Sequence, residues 1–235
     1  MLTVVTWLWS RPGRPRVYGP EHVNALRRMV ARRYERPHRF VVVTDEPASR
    51  FAPGIDVLPD RGDFVDVRSP EGLGMPSCYR RLRIFSLEAR EWLGPRIASL
   101  DLDVVLVGDV GPIFDRPGPV VLYRDPLRPR QANGSIVILD AGAAPEVWDR
   151  FDPLESPRRA RLAGFRGSDQ AWISSALPDA ARVDNRDGVY SYRAHIVATG
   201  ALPADARVVV FHGAPKPWGK GPQRLDWVRD NWGTL

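Results

Sequence analysis

Asp101-Leu102-Asp103 lies between two apolar runs, Ile97 to Leu100 and Val104 to Val107. Carboxylates in such a setting need a partner, because an unpaired buried charge is costly. Oxygen ligands suit a divalent cation such as magnesium, calcium or manganese. The plainer alternative is that one Asp caps the next turn and the other is solvated. His212 follows another apolar run, Val208 to Phe211. In open α/β sheets ligands gather beyond the carboxyl ends of strands, so His212 and Asp101 have a place to meet. The chain has only two lysines, Lys216 and Lys220, and both fall within eight residues of His212. Arginine carries the positive charge elsewhere. The placement therefore points to phosphate contact by a compact ammonium group.

The elements that must carry these residues alternate along the chain. Leu2 to Leu8 reads as a strand, and Gly19-Pro20-Glu21 opens a helix whose apolar stripe is Val23, Leu26, Met29 and Val30. Phe40 to Val43, Ile55 to Leu58, Ile97 to Leu100, Val120 to Tyr123, Ser135 to Leu139 and Arg207 to Phe211 are further strands. A Gly- and Pro-rich loop extends to about Pro76. Ser77 is placed to cap one long helix with Tyr79, Leu82, Phe85, Ala89 and Leu93 on its inner face, stopped by Gly94-Pro95. Pro145 to Phe151 and Ser168 to Leu177 are also helical. This alternation predicts an α/β fold with a largely parallel sheet. One domain over residues 1–235 is the economical reading, with a Pro-, Gly- and Trp-rich tail at 213–235.

Bulk properties narrow the function. No apolar run approaches the roughly 18 residues of a membrane helix, and Met1 to Trp9 reads as a strand rather than a signal peptide. Cys78 is the only cysteine, so no intrachain disulfide is possible and a reducing cytoplasm is expected. A net charge of +6 favours an acidic substrate, for which a nucleotide-sugar, a polyanionic acceptor or DNA would qualify.

Taken in order, the motifs resemble those of retaining glycosyltransferases of the GT-A fold, the group of glycogenin and the lipopolysaccharide galactosyltransferases (glycosyltransferase family 8). Leu100 to Val110 resembles that group's metal-site strand and its sequel, and His212 with Lys216-Pro217-Trp218 resembles its C-terminal motif. The four-residue step from His212 to Lys216 departs from the usual six. Thr6 with Tyr18 resembles the uridine-contacting start, and Tyr79-Arg80-Arg81-Leu82 the helix whose basic residue reaches the nucleotide-sugar. Asn133-Gly134-Ser135 resembles an Asn-Ser-Gly stretch with two residues exchanged, and Asp169-Gln170 the pair facing the donor sugar.

The resemblance implies a Rossmann-like nucleotide-sugar domain with a mixed, largely parallel sheet, its tail closing over the donor site. It implies Asp101, Asp103 and His212 as ligands of manganese, or of magnesium. Donor contacts would come from Thr6, Tyr18, Arg80, Leu102, Asn133, Gly213, Lys216 and Trp218, and catalytic roles fall to Asp169, Gln170 and Lys216. The donor would be a UDP-sugar and the acceptor a glycan or another hydroxyl. Neither the donor sugar, the acceptor nor the oligomeric state is readable.

Three rivals are weighed against this. A haloacid-dehalogenase-type phosphatase also uses Asp-x-Asp after a strand, but near the N-terminus and with a different set of downstream residues. A glycosidase could recruit Asp103 and Asp169 but leaves the tail motif unexplained. An Arg-rich nucleic-acid-binding module would use tryptophans such as Trp7, Trp9, Trp227 and Trp232 as stacking platforms, though the arginines are scattered. A glycosyltransferase acting on modified DNA would combine two of these readings.

Overall fold

The structure is a computed structural model that describes residues 1–10, 17–72 and 77–233. The last residues of the predicted loop before Ser77 and of the tail lie outside these. In chain order the elements are β1 (Leu2–Leu8), α1 (Pro20–Arg33), β2 (His38–Thr44), β3 (Asp56–Pro59), α2 (Ala89–Leu93), β4 (Arg96–Leu100), β5 (Val104–Leu106), α3 (Gly111–Phe114), β6 (Val120–Arg124), β7 (Ala132–Asp140), α4 (Glu146–Asp149), α5 (Glu155–Leu162), α6 (Asp169–Ala176), β8 (Ala181–Val183), β9 (Val189–Ser191), β10 (Val208–Val210) and α7 (Asp226–Trp232).

Among the described residues the large sheet has the order β3-β2-β1-β4-β7-β6-β8. Strands β1 to β4 pair in parallel, and only β7 runs against its neighbours. Each central strand feeds both faces by its two-residue period. Val4, Phe40, Val42, Ala98, Ile136 and Ile138 face one core, together with α1. Val5, Trp7, Val41, Val43, Ile97, Val137 and Leu139 face the other. All seven residues of β1 are buried, as expected for a parallel strand covered on both sides. Pro20 at the first position starts α1, and Val23, Leu26, Met29 and Val30 are all inaccessible to water. Burial of each such side chain contributes roughly 1.5–3 kcal/mol; a charged replacement at Leu26 would break this face.

A second sheet, β5-β10-β9, stands beside the first. Residues 101–103 are the link between them. Asp101 N–H bonds to the carbonyl of Ser135 on β7, and Phe211 N–H, just past β10, bonds to the carbonyl of Asp103. The acidic pair is thus pinned to both sheets, beyond the carboxyl end of β4.

Two expectations are corrected. The helix capped by Ser77 is instead a 3-10 helix, Tyr79–Phe85, followed by the separate α2. Ser77 Oγ caps nothing and is buried without a hydrogen-bond partner. Tyr79, Leu82 and Phe85 are all buried, and their spacing of three is the 3-10 period rather than the α period. The tail, for which the sequence set no secondary structure, carries the helix α7, whose Trp232 is buried.

Candidate functional site

Asp101, Asp103, Asp169, Arg81, Tyr18 and Lys216 form one connected cluster. Arg81 leaves the 3-10 helix and bridges two acids. Its Nη1 pairs with Asp101 Oδ1, its Nε donates to Asp169 Oδ2 at 2.8 Å, and its Nη2 lies 2.7 Å from the same oxygen. Ser135 Oγ donates to the other oxygen of Asp101 at 2.8 Å. Asp103 Oδ2 accepts from Tyr18 OH at 3.0 Å and from the Lys216 ammonium. Its Oδ1 is buried with no hydrogen-bond partner.

The cluster reaches from water at Asp101 and Lys216 into the interior and is electrostatically uneven. Asp103 and Asp169 are each 3% exposed. Burial pushes both carboxyls above the usual range, against the opposing pull of Lys216 on Asp103 and of Arg81 on Asp169. Burial, followed by the charges of Asp103 and Asp101, holds the Tyr18 hydroxyl protonated far above its ordinary value. Burial disfavours the charged form of Arg81, but Asp101 and Asp169 more than offset this and keep it a guanidinium.

Local sequence explains the close approach. Gly134 stands where a Cβ would lie 2.7 Å from Arg81 Nη2, so the glycine admits the guanidinium while Ser135 beside it holds Asp101. Asn133 turns its side-chain oxygen to Ser135 N–H at 3.0 Å. Gln170 Oε1 accepts from Gly134 N–H at 3.3 Å, tying the start of α6 to β7. The order Gly then Ser thus has a geometric reason.

Other predicted site residues fall elsewhere. Thr6 is fully buried and its hydroxyl donates to Leu100 O at 2.9 Å. Leu102 is in the core. Arg80 pairs with Asp60 and lies 4.6 Å over the Trp9 ring; Arg81, its neighbour, is the basic residue inside the cluster. Trp218 packs on His22 with ring centroids 4.1 Å apart and stacks on Trp232 at 5.5 Å. That aromatic group fixes the tail and so places Lys216. Gly213 takes φ +76° at the start of the turn to Lys216. The 213–233 segment therefore reaches Asp103 through Lys216.

His212 does not join the acidic pair. Its Nε2 lies 2.8 Å from Ser191 Oγ on β9. Among the described residues no three His, Cys, Asp or Glu side chains gather closely enough to hold a metal ion. Burial lowers the His212 pKa, partly offset by Asp125.

The signal for Arg81 was present in the sequence. With a three-residue period, Arg80 and Arg83 share a side, and they meet Asp60 and Asp63. That leaves Arg81 on a different side.

No family model matches the chain, and no curated protein matches it. Solved structures do. The galactosyltransferase LgtC in complex with donor and acceptor sugar analogues superposes with a TM-score of 0.63 at 12% identity, covering 99% of this chain and 97% of that one. An active-site Gln-to-Glu variant of LgtC matches equally. The identity is low, so the likeness is one of architecture. The seven-stranded mixed sheet, the smaller sheet beside it and nearly the full length of the chain carry the GT-A fold of LgtC.

Proposed function

We propose that this chain is a divalent-metal-dependent glycosyltransferase that moves a hexose from a UDP-sugar to an acceptor hydroxyl with retention. The observation that carries this reading is the Asp101-Leu102-Asp103 turn at the end of β4, with Asp103 buried and its Oδ1 left without a partner. An orphaned, desolvated carboxylate oxygen beside a second carboxylate is a cation-seeking arrangement.

Asp101 and Asp103 fit a divalent cation by donor type, and His212 would complete the set by leaving Ser191. When bound, the cation supplies positive charge to the diphosphate. The chain's own residues do the rest. Lys216, paired with Asp103, would face the same phosphates and offset the charge that grows as they leave. Tyr18, held by Asp103, forms a wall for the uracil. Asp169 and Gln170, fixed by Arg81 and Gly134, orient the transferred sugar. The bond from the sugar carbon to the diphosphate breaks, and the acceptor oxygen bonds to that carbon on the same face. The acceptor proton passes to the departing phosphate oxygen, so no protein nucleophile is required.

No helix among the described residues is long and apolar enough to cross a membrane. Among the described residues many arginines are tied to neighbouring acids, such as Arg39 to Asp56 and Arg96 to Asp140, which weighs against the nucleic-acid reading. The test is hydrolysis of UDP-galactose and UDP-glucose with and without manganese. We expect turnover with manganese only, and loss of at least about 100-fold in Asp103→Ala. Equal rates in that variant, with its fold intact by circular dichroism, would reject the assignment.

A further inference from the structure

Positive charge around the site continues past Lys216. Lys216 acts on both Asp103 and His212, and His212 also lies in the fields of Arg193 and Arg128. Arg193 belongs to the irregular helical turn Tyr192–Ile196 that follows β9. Its guanidinium packs on the backbone of Gly213, where a Cβ would stand 3.0 Å from Nη1. Ser191 ties these parts together: its Oγ meets His212 Nε2 at 2.8 Å and accepts from Ala194 N–H at 3.2 Å. Arg128 stands on the β6–β7 turn, half exposed, with its one acidic partner Asp125 at 3.9 Å. Asp125 is itself occupied by the backbone N–H groups of Leu127 and Arg128 at 2.9 and 3.2 Å.

Arg193 differs from the arginines of the Tyr79–Phe85 helix. It is exposed, and no described residue offers it a hydrogen bond or an ion pair. Arg80, Arg81 and Arg83 each meet a carboxylate. A guanidinium seated on backbone beside a binding cluster, with no acid to neutralise it, is a preformed fork for an oxyanion. Asp103 and Lys216 already provide for the donor's diphosphate in the reading above. Arg193 stands one step further out, against the backbone of Gly213 beside His212, and the charge of Arg128 reaches His212 as well.

We propose that Arg193, with Arg128, recognises an anionic group on the acceptor, so that the acceptor is a phosphate- or carboxylate-bearing sugar rather than a neutral one. This rests on the glycosyltransferase reading and adds the class of acceptor to it.

The test is calorimetric binding of glucose 6-phosphate, glucuronate and methyl glucoside to the whole protein, repeated with Arg193→Gln and Arg128→Gln, with UDP plus manganese as a separate titration. A charge-assisted contact is worth about tenfold or more in affinity. We expect both anionic probes to bind about tenfold tighter than methyl glucoside. Arg193→Gln should remove most of that preference while leaving UDP affinity within about twofold. Arg193 is exposed, so folding should survive, and a thermal melt checks this. An unchanged preference in Arg193→Gln would overturn the proposal. So would a loss of UDP affinity as large as the loss for glucose 6-phosphate, since Arg193 would then serve the donor. A wild type that ignores UDP would instead count against the glycosyltransferase reading; the sugar titrations, run without UDP, decide the anion pair separately.

Discussion

Asp103 and Asp184 are both paired with cations, yet their acidities move in opposite directions. Asp184 begins the short turn Asn185–Asp187 and accepts from Arg186 N–H at 3.0 Å. Arg186 Nη2 lies 2.7 Å from it and Arg124 Nε 3.3 Å. The hydrogen bonds from Arg186 hold its carboxyl down at about 2. Arg186 is 79% exposed, so Asp184 sits only one side chain below the water. Asp103 and Asp169 lie deeper, and burial there outweighs the cations that face them. The first cluster stabilises the fold. The second holds two carboxyls against a desolvation cost that raises their pKa, which is the pattern expected where electrostatics is held ready for a ligand.

The largest effect on stability is expected from Arg81→Leu. It strips the guanidinium from Asp101 and from buried Asp169, and breaking a buried pair typically costs about 3–5 kcal/mol. Urea unfolding measures this directly. Arg81→Lys should recover part of the loss, because one ammonium cannot span both acids. A cost below about 1 kcal/mol would place Asp101 and Asp169 with the exposed pairs.

A smaller loss is expected at Asp184→Asn, about 1 kcal/mol at pH 7 after allowance for solvent screening. The sign follows from its lowered pKa. Asp184 contributes stability above the unfolded value of 3.8 that is lost as pH falls toward about 2, so the two proteins should converge in acid. The smallest effect is expected at Asp103→Asn. Its folded pKa is raised, so the stability tied to its protonated form is complete below 3.8 and lost as pH rises through the folded value. At neutral pH the amide should therefore match the wild type within about 0.5 kcal/mol or exceed it. Lys216, partly exposed, can turn to solvent. A loss of several kcal/mol would make Asp103 a structural acid like Asp184.

Much of the frame was legible in the sequence because the central strands are long, β-branched and buried on both faces. The runs at Leu2 to Leu8, Phe40 to Val43 and Ser135 to Leu139 admit little else. β8 and β9, of three residues each, are too short to show a period and exist by pairing with β6 and β10. The helix after Ser77 was misread because 3.6- and three-residue periods coincide over its first turns. The acidic pair and Lys216 were found by residue type and placement, Asp169 and Tyr18 only through the resemblance, and the structure brings them together. Thr6, Leu102 and Trp218 meet backbone or core instead. His212 was placed beyond a strand correctly, but its partner, Ser191, comes from a strand the sequence did not reveal.

The most direct test of an acid pair kept for a cation and a diphosphate is calorimetric titration of UDP into the wild type and Asp103→Asn, each with and without manganese. We expect manganese to tighten UDP binding to the wild type by about 100-fold or more and to leave the stable Asp103→Asn protein nearly unaffected. Equal manganese dependence in both proteins, or tight UDP binding that ignores manganese, would contradict it.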